Sequence, residues 1–204
     1  TTTATSRRRM GLDCERVRAV LFDIDGTLRD TDDELIDKLA GLASGPLGAR
    51  RARRWMRAVV MGVEAPTQVA LGIADRLSLD GPINRLLDAS ALHGQTKAVP
   101  GVVDAVRELR GTVRLGVVSA GPAGAVERFL AEQGLTGAME VVVSGQTYRR
   151  TKPHPLPVIA AARELGCAPS EVVMVGDTTV DIKAGRDAGA QTVGVLTGFG
   201  RRAD

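Results

Sequence analysis

Ala19-Val20-Leu21-Phe22-Asp23-Ile24-Asp25-Gly26-Thr27 decides the fold. Four apolar residues run unbroken into two carboxylates set two residues apart, and a glycine follows. An apolar tetrad bounded by turn residues reads as a strand buried on both faces, which is the habit of parallel sheets covered by helices. Carboxylates beside such a strand are costly unless a cation or an acid–base task uses them. The alternation of extended chain aims Asp23 and Asp25 to one side. The plain alternative is a solvated strand-to-loop junction, since Asp and Gly are ordinary turn residues.

Outward from this stretch, further strands are predicted at 114–118, 140–143, 172–175 and 192–195, with helical patterns at 102–110, 123–133, 156–165 and 181–188. Alternation of this kind predicts an α/β fold, a Rossmann-like parallel sheet with helices on both faces. Residues 31–96 break the rhythm. They hold no convincing strand but offer helices at 32–43, 49–60, 67–77 and 83–91, with Gly45, Pro46, Pro66 and Pro82 falling between them. Val69, Ile73 and Leu77 recur at four-residue spacing. The predicted organisation is an N-terminal tail at 1–17, a core domain formed by 18–30 and 97–204, and an inserted α-helical domain at 31–96. The first ten residues carry no acidic residue and no apolar run, so they are expected to be disordered and to lack a secretory signal.

Composition narrows the function classes. With 204 residues, one full core and one small accessory domain can be built. No apolar run approaches the roughly 18 residues of a spanning helix, so a soluble protein with no membrane partner is expected. The net charge of +3 is too small to argue for nucleic acid, and aromatic residues at 2% leave little for a base-stacking surface. Cys14 and Cys167 form no CxxC pair, which favours a reducing cytoplasm over secretion.

Three more signatures follow predicted strands. Ser119, ahead of Ala120-Gly121, offers a hydroxyl and backbone amides where a strand turns into a helix, a place that can hold an anion; Ser is equally a common helix cap. Lys152 stands in Thr151-Lys152-Pro153-His154-Pro155, where prolines stiffen the backbone and an ammonium could neutralise a phosphoryl group. His154 is read as a helix-start residue. Gly176-Asp177-Thr178-Thr179-Val180-Asp181 places Asp177 at a strand tip and Asp181 at the start of the next helix, as metal ligands or as helix caps. In an open parallel sheet such strand ends converge on one crevice.

Taken in order, D-x-D-x-T, Ser after a strand, Lys-Pro and G-D-x-x-x-D resemble the haloacid dehalogenase superfamily over about residues 19–198. The resemblance implies a Mg²⁺-dependent phosphatase acting on a small phosphorylated metabolite, as a monomer or homodimer. It makes Asp23 the nucleophile, Asp25 the general acid and base, and Lys152 the charge-balancing cation. Thr27, Ser119, Ala120 and Lys152 would bind the phosphoryl group. Asp23, Asp177 and Asp25 through its carbonyl would hold the metal, and Asp181 would be a further ligand or a partner of the ligands. The insertion resembles the family's helical cap, hinged near 29–31 and 96–100.

Asp25 separates branches of that family, because dehalogenases and phosphonate hydrolases of similar shape lack it. Mutases keep it but usually add a histidine in the cap-proximal linker, where this sequence has Leu35. Among named branches the likeness is nearest to phosphoglycolate phosphatases, on Asp25-Gly26-Thr27-Leu28-Arg29-Asp30-Thr31 and Thr151-Lys152-Pro153-His154-Pro155. A phosphomutase and an inactive homologue serving as a binding module are the alternatives. Family members usually continue past the last predicted strand with another strand and helix, where this sequence has residues 196–204. Arg50, Arg54 and Arg57 share one predicted helical face, either simply solvated or able to attract a second anionic group of a substrate.

Overall fold

The computed structural model describes residues 11–30, 97–198 and 200. The predicted helices within 31–96, the arginines at 50–57, and the first ten residues lie outside them. Five strands, β1 (Ala19–Phe22), β2 (Arg114–Val118), β3 (Val141–Val143), β4 (Val172–Gly176) and β5 (Gln191–Gly194), form one sheet in the order β3-β2-β1-β4-β5. Every pairing is parallel. The connecting helices are α1 (Val102–Leu109), α2 (Ala123–Glu132), α3 (Leu156–Glu164) and α4 (Thr179–Ala188). The Rossmann-like α/β reading of the core holds.

Alternate residues of the central strand feed two cores. Val20 and Phe22 pack with Leu115, Val117, Val126, Phe129 and Leu130, whereas Ala19 and Leu21 pack with Val118, Val158, Ala161, Met174 and Ala184. Burial on both faces explains the unbroken apolar run of β1, since neither face meets water. On α2, Val126, Phe129 and Leu130 recur at three- and four-residue spacing and are its buried residues.

Strand ends shift slightly from the sequence reading. β3 begins at Val141, although the Glu140 amide still donates to Leu115 O of β2 at 2.8 Å and its side chain pairs with Arg114. β4 runs on to Gly176, which lies in register with Gly194 of β5. α4 begins at Thr179, two residues before the predicted start, because Asp181 reaches back to the Thr178 amide at 3.1 Å and so caps the turn from within. The stretch assigned to the tail is docked from Asp13: its amide donates to Gln191 Oε1 at 2.7 Å, and Gln191 Nε2 donates back to the Asp13 carbonyl at 3.2 Å. Val17 then packs against the first core.

Chain order explains where a crevice opens. From β1 the chain builds outward through β2 and β3 on one side, then crosses to build β4 and β5 on the other. The carboxyl ends of β1 and β4 therefore flank the point where strand order reverses, the usual ligand crevice of open parallel sheets. The two connectors to residues 31–96 are stitched together beside it. Asp30 N donates to Lys97 O at 2.8 Å, Val99 N donates to Leu28 O at 2.9 Å, and Arg29 faces Ala98 in an antiparallel bridge.

Candidate active site

Asp23 is the first residue past β1, and its amide is held by the Val175 carbonyl of β4 at 2.9 Å. Its side chain is only 10% exposed. Lys152 comes from the β3–α3 connection, and its side chain is more deeply buried still. Its Nζ donates to Asp23 Oδ1 at 2.6 Å and to Asp181 Oδ1 at 2.5 Å. Asp181 is thus held at both ends, because its Oδ2 accepts from the Thr178 amide and from Thr178 Oγ1 at 2.7 Å.

Asp177 completes a buried trio. One oxygen from each of Asp23, Asp177 and Asp181 lies within 4.8 Å of the others. Glycines make the close approach possible. A Cβ at Gly176 would overlap the Asp181 side chain, and one at Gly26 or Gly198 would overlap the Asp177 carboxylate. Gly26 also has φ +78, a conformation that L side chains rarely adopt.

Among the described residues three buried carboxylates face one ammonium, so these four groups, when ionised, carry a net charge of minus two. Burial, aided by Asp181 and Asp25 and opposed by Lys152, raises Asp23 to about 7. Burial alone would lower Lys152, but the carboxylates of Asp23 and Asp181 outweigh it and hold the ammonium above the ordinary lysine range. An all-oxygen donor set of three carboxylates fits a hard divalent cation.

Across β1 the surroundings change. Ser119 follows β2, its amide held by Val143 O at 2.8 Å. Its Oγ accepts from the Gly121 amide at 3.0 Å, which leaves the hydroxyl proton to donate. Thr27 is buried, and its Oγ1 has no hydrogen-bond partner among the described residues. A buried hydroxyl left unsatisfied is costly and is ready for an incoming oxygen. Ala120 is exposed, and its carbonyl backs onto Gly145, where a Cβ would overlap it; Gly145 N also donates to Gly121 O at 2.9 Å.

The structure brings Asp23, Lys152, Asp177 and Asp181 into direct contact or near contact, with Thr27 and Ser119 on adjoining loops. The Asp25 carboxylate is not part of the acidic trio. It is paired with Arg29, whose Nε donates to Oδ1 at 2.8 Å and whose Nη2 meets the same oxygen. That leaves the backbone carbonyl as the route by which the resemblance brings Asp25 to a metal. His154 takes a helix-start role: its Nδ1 accepts from the Leu156 amide at 3.1 Å, and its Nε2 pairs with Arg150 at 2.7 Å.

Sequence reasoning passed over Arg29, Gly145, Gly176 and Gly198 as contributors. Only Gly176 carried a signal, as the glycine between an apolar strand and Asp177.

The family described as haloacid dehalogenase-like hydrolase matches residues 20–195. The chain belongs to that family. N-acetylmuramic acid 6-phosphate phosphatase of Pseudomonas aeruginosa is 32% identical over 90% of this chain and 84% of its own. Phosphoglycolate phosphatase of Xylella fastidiosa is 34% identical over 89% of this chain and 81% of its own. A haloacid dehalogenase-like hydrolase from Streptococcus pneumoniae superposes with a TM-score of 0.68 at 20% identity, covering 93% of this chain and 89% of its own, and so shares the fold. The chain is a haloacid dehalogenase-like hydrolase, an enzyme, and both of these curated relatives are phosphatases by name. No helix among its described residues is long and apolar enough to cross a membrane.

Proposed function

We propose that the protein is a Mg²⁺-dependent phosphatase that hydrolyses a small-molecule phosphate monoester through an aspartyl-phosphate at Asp23. The observation that carries this reading is the Lys152 ammonium bridging Asp23 and Asp181 beside Asp177. It is a buried acidic cup at the crevice of the sheet. Asp23, Asp177 and Asp181 would hold the cation with the Asp25 carbonyl. When bound, Mg²⁺ supplies charge neutralisation between the carboxylates and the phosphoryl oxygens.

The residues then have distinct tasks. Asp23 attacks phosphorus; as its bond to phosphorus forms, the ester P–O bond breaks and the electron pair leaves with the ester oxygen. Asp25, as the general acid, gives that oxygen a proton. In the second half a water oxygen attacks phosphorus and yields a proton to Asp25. The bond between phosphorus and Asp23 breaks, releasing inorganic phosphate and restoring both residues. Lys152 holds Asp23 in place and offsets charge on the phosphoryl oxygens. Thr27, Ser119 and the Ala120 amide bind those oxygens.

The proposed substrate is a small phosphorylated metabolite such as 2-phosphoglycolate, acted on in the cytoplasm. Residues 31–96 would act as a cap that covers the crevice and sets selectivity. The relatives support the reaction class more than one substrate, since their names specify different phosphates. The test is release of phosphate from p-nitrophenyl phosphate with Mg²⁺ and with EDTA. A panel including 2-phosphoglycolate and N-acetylmuramate 6-phosphate, ranked by kcat/KM, follows. Mg²⁺-dependent release supports the reading, and release undiminished in EDTA overturns it. Isomerised product without phosphate would favour a mutase.

A further inference from the structure

We infer that Arg29 is a positioning residue for the acid–base chemistry, fixing the Asp25 carboxylate so that one oxygen is restrained and the other faces the leaving group. The inference rests on the phosphatase reading above and deepens it.

The geometry begins with the main chain. Arg29 sits where the turn after β1 meets the connectors to residues 31–96. Its amide donates to Ile24 O at 2.8 Å, its carbonyl accepts from the Gly26 amide at 2.9 Å, and it bridges to Ala98. The guanidinium is therefore launched from backbone held on both sides. Both of its contacting nitrogens converge on one oxygen of Asp25, Oδ1.

The other oxygen looks the opposite way. A Cβ placed on Gly121 would lie 3.8 Å from Asp25 Oδ2 and 3.3 Å from Ser119 Oγ, so the two oxygens border the same small space that glycine leaves open. Ser119 is assigned to the phosphoryl group. Asp25 Oδ2 thus stands where the ester oxygen departs.

Stability is a poor explanation for the pair. Its side chains are 22% and 40% exposed, and ion pairs in such surroundings contribute little. A half-exposed aspartate would otherwise sample several rotamers, and only some present an oxygen to the leaving group. Fixing one oxygen with two donors restricts that choice before substrate arrives.

The test exploits leaving groups. kcat/KM reports steps only through departure of the ester oxygen, so the later attack of water does not enter it. An alkyl phosphate needs a proton as it leaves; p-nitrophenyl phosphate does not. In Arg29→Met, kcat/KM for the alkyl phosphate should fall roughly 10²-fold, the lower range of general-acid effects, and for p-nitrophenyl phosphate less than about threefold. Arg29→Lys, which keeps a donor and a charge, should recover part of the alkyl activity. In an Asp25→Asn background, Arg29→Met should add no further loss, because nothing remains to be positioned. Equal losses on both substrates, or additive losses in the double variant, would overturn the inference while leaving the phosphatase reading intact. Wild-type protein inactive on both substrates with Mg²⁺ would overturn both.

Discussion

Asp23 and Asp25 stand two residues apart on one turn of chain, yet their surroundings are opposites. Asp23 is sunk beside a buried lysine and two further carboxylates, raised to about 7 by burial. Asp25 lies on an open shoulder, 40% exposed at its side chain, and is partnered by an arginine from its own turn. In the proposed mechanism the same residue type therefore has two uses. In the buried cup three carboxylates crowd around one lysine, a donor set that a divalent cation would fit. On the shoulder the carboxylate is held through one oxygen by the Arg29 guanidinium and stays open on its other side.

The comparison breaks most sharply at the nucleophile. Asp23→Asn should lower turnover on the order of 10³-fold or more, the scale seen when a covalent nucleophile is removed, with the circular dichroism spectrum unchanged. Retention of a tenth of wild-type activity would place the covalent step elsewhere. Lys152→Met removes the one ammonium that reaches the cup among the described residues. Leaving a buried pair uncompensated costs about 3–5 kcal/mol, so the metal-free variant should unfold at markedly lower denaturant, and Mg²⁺ should restore part of the difference. A variant as stable as wild type would mean the cup does not depend on its lysine.

Acidity separates the two regions further. Asp23 binds its proton more tightly in the folded protein, to about 7, than in the unfolded chain, near 3.8, so its contribution to stability is full below the lower value. Between the two values only the unfolded chain loses the proton, and stability should decline as pH rises, levelling off above about 7. Mg²⁺ must displace that proton at lower pH, so its stabilising effect should grow across the same window. Thermal melts with and without Mg²⁺ would show it, and Asp23→Asn should remove this part of the slope. A metal-free protein that gains stability from Asp23 across that window would reverse the assignment.

The smallest effect lies at Thr27. Thr27→Val removes a buried hydroxyl that has no partner among the described residues. It should leave stability unchanged or raise it by about 1 kcal/mol, while weakening the use of substrate in kcat/KM. A clear loss of stability would show that the hydroxyl serves the fold.

Much of this was legible before any coordinates. Each motif follows an apolar run, and parallel strands carry their ends to a common edge, so Asp23, Ser119, Lys152 and Asp177 could be placed together from order alone. Arg29 could not, because its reach to Asp25 depends on how the chain turns after β1, and no periodicity describes a turn. The glycines were hidden for a related reason. Gly198 matters only because it lies against Asp177, twenty-one residues earlier in the sequence and adjacent only in space. Asp181 was found by spacing but half understood, since its capping of Thr178 and its hold on Lys152 use different oxygens of one carboxylate. The docking of Asp13 onto Gln191 had no signal, because polar residues near a charged tail look alike whether bound or free.

The most direct measurement is chemical capture of the intermediate. Protein mixed with substrate and Mg²⁺ is quenched within a turnover and reduced with borohydride, which converts an acyl phosphate to an alcohol; the peptides are then read by mass spectrometry. The account predicts homoserine at residue 23, absent without Mg²⁺ or substrate and absent in Asp23→Asn. Reduction at another carboxylate, or an unmodified Asp23 in protein shown to be turning over, would contradict it.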